Sequence, residues 1–249
     1  YATALRGAGI DALAVASNHV YDLGVSGIFD TLESLNDADL VHTGLYASTE
    51  DPRFLLFDLS GIRLSVHSFM VEQKEDPKYA NFTTRGHQTL FSYSNEENVA
   101  QQLADAKQEG ADFSVAYCCW ADSNAREVTQ GQRQTAQFLA DAGVDLIVGT
   151  GPSHLQYYET LVTGNGREVP VLWSAGNFMS DMAGTRENSL DTLILEATLE
   201  KSQDGGVSVT SVRYRPFTIL DLGSASKNDY AVVQSSVTLV DRPAATSLL

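Results

Sequence analysis

The sequence predicts an α/β fold: a layered α-β-β-α sandwich of two mixed sheets with helices on the outside. Two patterns predict it. In the first half, short apolar runs alternate with segments whose apolar residues recur at helical spacing. Among and beyond them lie paired runs around glycine-containing turns, which is how hairpins read. Parallel strands need helices over their faces and hairpins need antiparallel neighbours, so one chain carrying both requires stacked layers. With 249 residues, 43% of them apolar, the chain is long enough for one large globular domain or two small ones.

Taken in order, Tyr1 to Gly9 has the composition of the last turns of a helix closed by Gly9, and a buried-type strand follows from Ile10. An opening on a helix tail leads us to expect that N-terminal strands of the sandwich are absent from this chain. Val25 to Leu35 carries Ile28, Leu32 and Leu35 at helical spacing, and Leu40 to Thr43 is a short strand ending at Gly44. Phe54–Leu59 and Ile62–Phe69 flank Ser60-Gly61 as a hairpin. Val71 to Gln88 is polar without a period and predicts a long surface excursion, a candidate lid.

Further on, Asn95 to Glu109 reads as a polar helix stopped by Gly110, Asp112 to Cys119 as a strand, and Thr129 to Ala142 as a helix stopped by Gly143. Val144 to Val148 is a strand entering Gly149-Thr150-Gly151-Pro152. Gln156–Val162 and Val169–Trp173 flank the turn 163–166. Leu190–Glu200 and Val207–Arg215 flank Asp204-Gly205-Gly206 as a hairpin with period-two alternation. From Ser224 the pattern weakens, so 1–222 reads as the domain and 223–249 as a peripheral C-terminal extension.

Charge narrows the function classes. Sixteen lysines and arginines against 32 aspartates and glutamates leave a net charge of -16, which repels nucleic acid and anionic lipid. No apolar run approaches the ~20 residues that span a bilayer. Cys118 and Cys119 are the only cysteines. Neighbouring α-carbons lie about 3.8 Å apart, too close for an unstrained bridge, so these read as two buried free thiols beside Trp120.

Four strand ends carry polar or turn residues: Asn18-His19, Cys119-Trp120-Ala121-Asp122, Gly149 to His154, and Ser174-Ala175-Gly176-Asn177-Phe178. In open α/β sheets, ligands bind where strands end at their carboxyl side. An amide oxygen and an imidazole there suit metal coordination and proton transfer, though an Asn-His turn capping the next helix is an equal alternative.

Set in order, these segments resemble the CapA family of bacterial capsule-synthesis proteins over Ala4 to about Asp181. That family is linked to poly-γ-glutamate and built on the calcineurin-like metallophosphoesterase fold. Its motifs are Asn-Asn-His-x-x-Asp-x-Gly, His-Trp-Gly, Gly-His-His-Pro-His-x-x-Gln and Ser-Leu-Gly-Asn-Phe. Asn18, His19, Asp22 and Gly24 fit the first, with Ser17 for its leading Asn. Trp120 fits the second, but Cys119 stands in place of His and Ala121 in place of Gly. Gly149, Pro152, Leu155 and Gln156 fit the third. There Thr150, Gly151 and Ser153 occupy the three His positions, and His154 lies one residue past the last. Gly176, Asn177 and Phe178 fit the fourth, with Ala175 for Leu.

The departures bear on mechanism. A two-metal centre needs a dense set of carboxylates, imidazoles and amides around cations about 3.5–4 Å apart. Hydroxyls are poor ligands for transition metals and glycine offers no side chain. The resemblance therefore implies a candidate metal set of Asn18, Cys119 and His154, with His19 as the candidate catalytic group. Asp22 and Asn177 are expected beside the cleft. At most one weakly bound divalent metal is expected as cofactor, and His42, His67 and His87 fall outside all four motifs as ordinary surface or packing histidines.

The leading expectation is a protein of this family with a largely degraded metal site, leaning away from enzyme activity. It would be a binding or assembly component whose partners are cell-envelope or capsule polymer and assembly proteins. The alternative is a metal-dependent phosphoesterase-type hydrolase with a rearranged site, from which an amide hydrolase acting on a peptide-like polymer is not separable. The family also implies an extracellular or cell-surface location, with membrane contact only through a segment preceding this chain.

Overall fold

Leucines and an isoleucine at positions 28, 32 and 35 fall on one face of a helix, and that face is the one buried in the computed structural model. The structure describes residues 1–71, 90–120, 125–179, 191–221 and 230–234. It divides into two compact units, one formed by Tyr1–Ala121 with Ala142–Val144 and the other by Asp122–Asp141 with Asp145–Leu249.

In the first unit, helix α1 (Ala2–Gly7) leads into strand β1 (Ala12–Ala14), followed by α2 (Gly24–Asp37) and β2 (Val41–Thr43). β1 and β2 pair in parallel, Ala12 opposite Val41 and Ala14 opposite Thr43. The sequence predicts β1 to be buried; its three residues are instead half-buried, because within this two-stranded sheet β2 is its one neighbour. Strands β3 (Leu55–Leu59) and β4 (Ile62–Met70) form the expected hairpin. Its two turn residues, Ser60 and Gly61, both take positive φ, at 57° and 87°. That is the turn whose twist matches a hairpin.

Helix α3 (Glu96–Gln108) opens on Asn95, whose side chain accepts the Asn98 N–H at 2.9 Å, and it places Glu96 and Glu97 in the first turn and Lys107 in the last. β5 (Phe113–Cys119) then runs parallel to β4, with Met70 opposite Cys119. The sheet β3-β4-β5 is therefore mixed. Ile28 and Leu32 of α2 pack with Leu45, Met70, Phe91 and Cys119 in one buried cluster. Full burial of each such aliphatic side chain contributes about 1.5–3 kcal/mol.

In the second unit, α4 (Gln130–Ala142) starts at a reciprocal cap. Thr129 N–H donates to Gln132 Oε1 at 2.8 Å, and Gln132 N–H donates to Thr129 Oγ1 at 3.2 Å. β6 (Leu146–Thr150) pairs in parallel with β8 (Glu168–Leu172), and β7 (Tyr158–Val162) pairs with β8 antiparallel, so this arrangement is mixed too. β9 (Asp191–Lys201), β10 (Val207–Asp221) and β11 (Tyr230–Gln234) form an antiparallel sheet in the order β11-β10-β9, with an irregularity between Val209 and Ser211. β10 runs six residues beyond the expected end at Arg215 because β11, from the weakly patterned stretch after Ser224, pairs with its last five residues. The expected excursion from Val71 to Gln88 lies, after Val71, outside the described residues, as do Ala121-Asp122 and most of the chain after Asp221. No helix among the described residues is long and apolar enough to cross a membrane.

Candidate functional site

The exit of β1 is built by close backbone approach. Gly44 follows β2 with φ +103°, and a Cβ there would fall 2.6 Å from Ala16 N and 2.6 Å from Ser68 Oγ. Only glycine lets these three segments converge. Ala16 N–H donates to the buried Ser68 Oγ at 3.1 Å, which fastens the chain to β4 immediately before Ser17-Asn18-His19. Sequence reasoning missed Ser68, since its partner lies 52 residues away and no local pattern marks it.

Beyond that clamp, the Asn18 side chain meets the end of β5: the Cys119 thiol donates to Asn18 Oδ1 at 3.8 Å. Cys119 is 1% exposed and belongs to the apolar cluster under α2. Cys118 is also a buried free thiol, pushed well above the ordinary cysteine range by burial and then by its neighbour Cys119. His19 is the opposite case, with a side chain 69% exposed. Asp22 Oδ2 accepts from its Nδ1 at 2.7 Å. A carboxylate can only accept there, so it fixes the proton on Nδ1 and leaves Nε2 outside that contact. Asp22 lies one residue before Leu23, the N-cap of α2, and so outside the first turn of that helix.

In the second unit, the loop after β6 and the loop after β8 are tied together. Leu155 bridges to Ala175, Gln156 N–H donates to the Ser174 carbonyl at 3.1 Å, and Ser174 Oγ donates to the Pro152 carbonyl at 3.1 Å. Gly176 takes φ +70°, and a Cβ there would lie 2.4 Å from the Asp191 carbonyl oxygen. His154 is 7% exposed, and its Nδ1 is buried without a hydrogen-bond partner among the described residues. Asn177 is half-buried just after the bridge. Gln156 is held by Gln132, whose Nε2 donates to its Oε1 at 2.8 Å, and it donates in turn to the carbonyls of Ala125 and Glu127. Gln132 was missed as a contributor, although the Thr129-x-x-Gln132 cap pattern marks it in the sequence.

The structure thus brings Asn18 to Cys119 and His19 to Asp22 in one unit, and in the other it joins the loops bearing His154 and Asn177. Among the described residues, no group of three or more His, Cys, Asp and Glu side chains stands close enough to hold a metal ion. The histidines outside the motifs behave differently from one another. His67 is fully buried between Phe54 and Phe69, His42 is half-buried, and His87 lies outside the described residues.

Comparison with known proteins agrees with this architecture. The chain is 26% identical over 213 residues to the capsule biosynthesis protein CapA of Bacillus anthracis, covering 84% of this chain and 48% of that protein. It is 27% identical over 210 residues to the PGA biosynthesis protein CapA of Bacillus subtilis (strain 168), covering 84% and 52%. It therefore spans about half the length of these relatives. The calcineurin-like phosphoesterase YfkN from Bacillus subtilis superposes with a TM-score of 0.53 at 14% identity, over 87% of this chain and 66% of that one, so the fold is of the calcineurin-like phosphoesterase kind. The sequence profile of the family described as bacterial capsule synthesis protein PGA_cap matches residues 1–182, and this chain belongs to that family.

Proposed function

We propose that this protein is a binding or assembly component of capsule or poly-glutamate synthesis, working at the cell surface on envelope polymer, with a metal site depleted of ligands. One observation carries the reading: the strand-end amide Asn18 faces the thiol of buried Cys119 at 3.8 Å. A thiol beside one carboxamide falls short of a pair of divalent cations, which call for a dense set of carboxylates, imidazoles and amides. Residues 1–222 would form the working domain, with 223–249 as an extension. Elemental analysis of the purified full-length protein tests the proposal: two tightly held metals per chain would overturn it, and at most one weakly held metal supports it.

A hydrolase reading has its own support in the His19–Asp22 contact at 2.7 Å and in the partnerless Nδ1 of His154 among the described residues. In that reading His19 is the general acid, held by Asp22, Asn18 and Cys119 are cation ligands in the same unit, and His154 is a cation ligand in the other. It requires turnover of a phosphate ester that falls by orders of magnitude in His19→Ala. Identical background rates in the two proteins exclude it.

A further inference from the structure

Between the end of α2 and the segment that follows β2, the first unit has an open cleft of about 580 Å³, within the roughly 300–1,000 Å³ typical of small-ligand sites. Leu32, Leu40, Val41, Leu45 and Leu55 make its walls largely apolar. The cleft's charged lining is acidic. Asp39 and Asp51 line it, and among the described residues no lysine or arginine does. The last turn of α2 contains no basic residue, so nothing on that turn offsets the partial negative charge of the helix end. Arg53 lies over the Tyr46 ring at 4.1 Å and donates to the Ser48 carbonyl; against the upward push of burial, the Ser48 and Ala47 N–H groups, which donate to Asp51 Oδ2 at 3.0 and 2.6 Å, and the Arg53 charge hold the Asp51 carboxyl below its usual range. His42, on the wall, is pushed below the ordinary histidine range by burial, against the pull of Asp51, and so is neutral near pH 7. Its Nε2 has no hydrogen-bond partner among the described residues.

The geometry points to this cleft as a binding site for a small organic cation, an aliphatic chain ending in an ammonium group. The chain lies along the leucine and valine walls, and the charge faces Asp39 and the carbonyl end of α2. An anionic ligand of the same length meets repulsion from Asp39 and the helix end. None of these residues belongs to the strand-end loops, so the cleft stands independently of the function proposed above.

The test is an amide-resolved NMR titration of the protein with n-pentylammonium, using pentan-1-ol and pentanoate as neutral and anionic equivalents. Saturable shifts are expected at Leu40, His42, Leu45 and Leu55, with the ammonium bound about tenfold tighter than the alcohol and pentanoate weakest. Asp39 sits at φ 53°, a conformation asparagine tolerates, so Asp39→Asn keeps the fold while removing one charge. That variant should hold its urea midpoint and show a smaller gap between ammonium and alcohol. The absence of saturable shifts, equal affinity for ammonium and alcohol, or a gap unchanged in Asp39→Asn would each overturn the assignment.

Discussion

Lowering the pH from 7 to 4 should destabilise the first unit through a single buried imidazole. His67 is 0% exposed and stacks against Phe69, with ring centroids 5.9 Å apart and planes 4° from parallel. Gln102 Nε2 donates to Ser92 Oγ, which leaves Gln102 Oε1 to accept from His67 Nδ1 at 3.3 Å. The Ser65 hydroxyl then donates to His67 Nε2 at 3.0 Å. Both ring nitrogens are satisfied in the neutral form, so a proton on Nε2 has to displace a donor in a site that excludes water. Burial lowers the group from 6.5 to about 4, and the Gln102 contact opposes this only in part.

The direction follows from linkage. Above pH 6.5 the imidazole is neutral in both folded and unfolded chains and has no effect on stability. As pH falls from 6.5 toward 4 the unfolded chain takes up a proton that the folded one refuses. Stability therefore declines by up to about 1.4 kcal/mol per pH unit, some ~3 kcal/mol over the window, and levels off below pH 4. Urea unfolding at half-unit pH steps, run on the native protein and on His67→Leu, isolates this effect. The variant starts less stable at pH 7, since Gln102 and Ser65 lose a partner, but its curve should be flatter between pH 6.5 and 4. His42 and the carboxylates titrate alike in both proteins and cancel. Parallel loss of stability in the two proteins across that window would refute the reasoning.

Other substitutions probe the scaffold. Gly44→Ala places a Cβ 2.6 Å from Ala16 N at φ +103°, and should lower stability by about 2 kcal/mol or more, read as a drop in urea midpoint. Ser68→Ala strands the Ala16 N–H that it accepts; a loss of about 1–3 kcal/mol is expected, with faster hydrogen exchange at Ala16. Thr129→Ala removes half of the α4 cap and should cost about 1 kcal/mol by thermal unfolding. Leu139→Ala, at a fully buried position on α4, should cost about 2–5 kcal/mol by the same measurement, far more than the cap.

Much of this architecture is legible in the order of residues. The spacing of Ile28, Leu32 and Leu35, the Ser60-Gly61 turn and the helix stop at Gly110 are local signals, written in residues a few positions apart, and each element forms where its signal lies. The family resemblance is legible for the same reason, since its four motifs are short strand ends. What lies beyond local reading is decided by distance in the chain. The Ser68 hydroxyl under Ala16, the Cys119 thiol against Asn18 and the neutral His67 beside Gln102 join residues 52, 101 and 35 positions apart. Periodicity and capping describe only neighbours along one element, so they distinguish a helix from a strand. Which buried side chain faces which, and hence whether an imidazole stands exposed like His19 or is a sealed core group like His67, follows from the packing of segments that meet only in the folded chain.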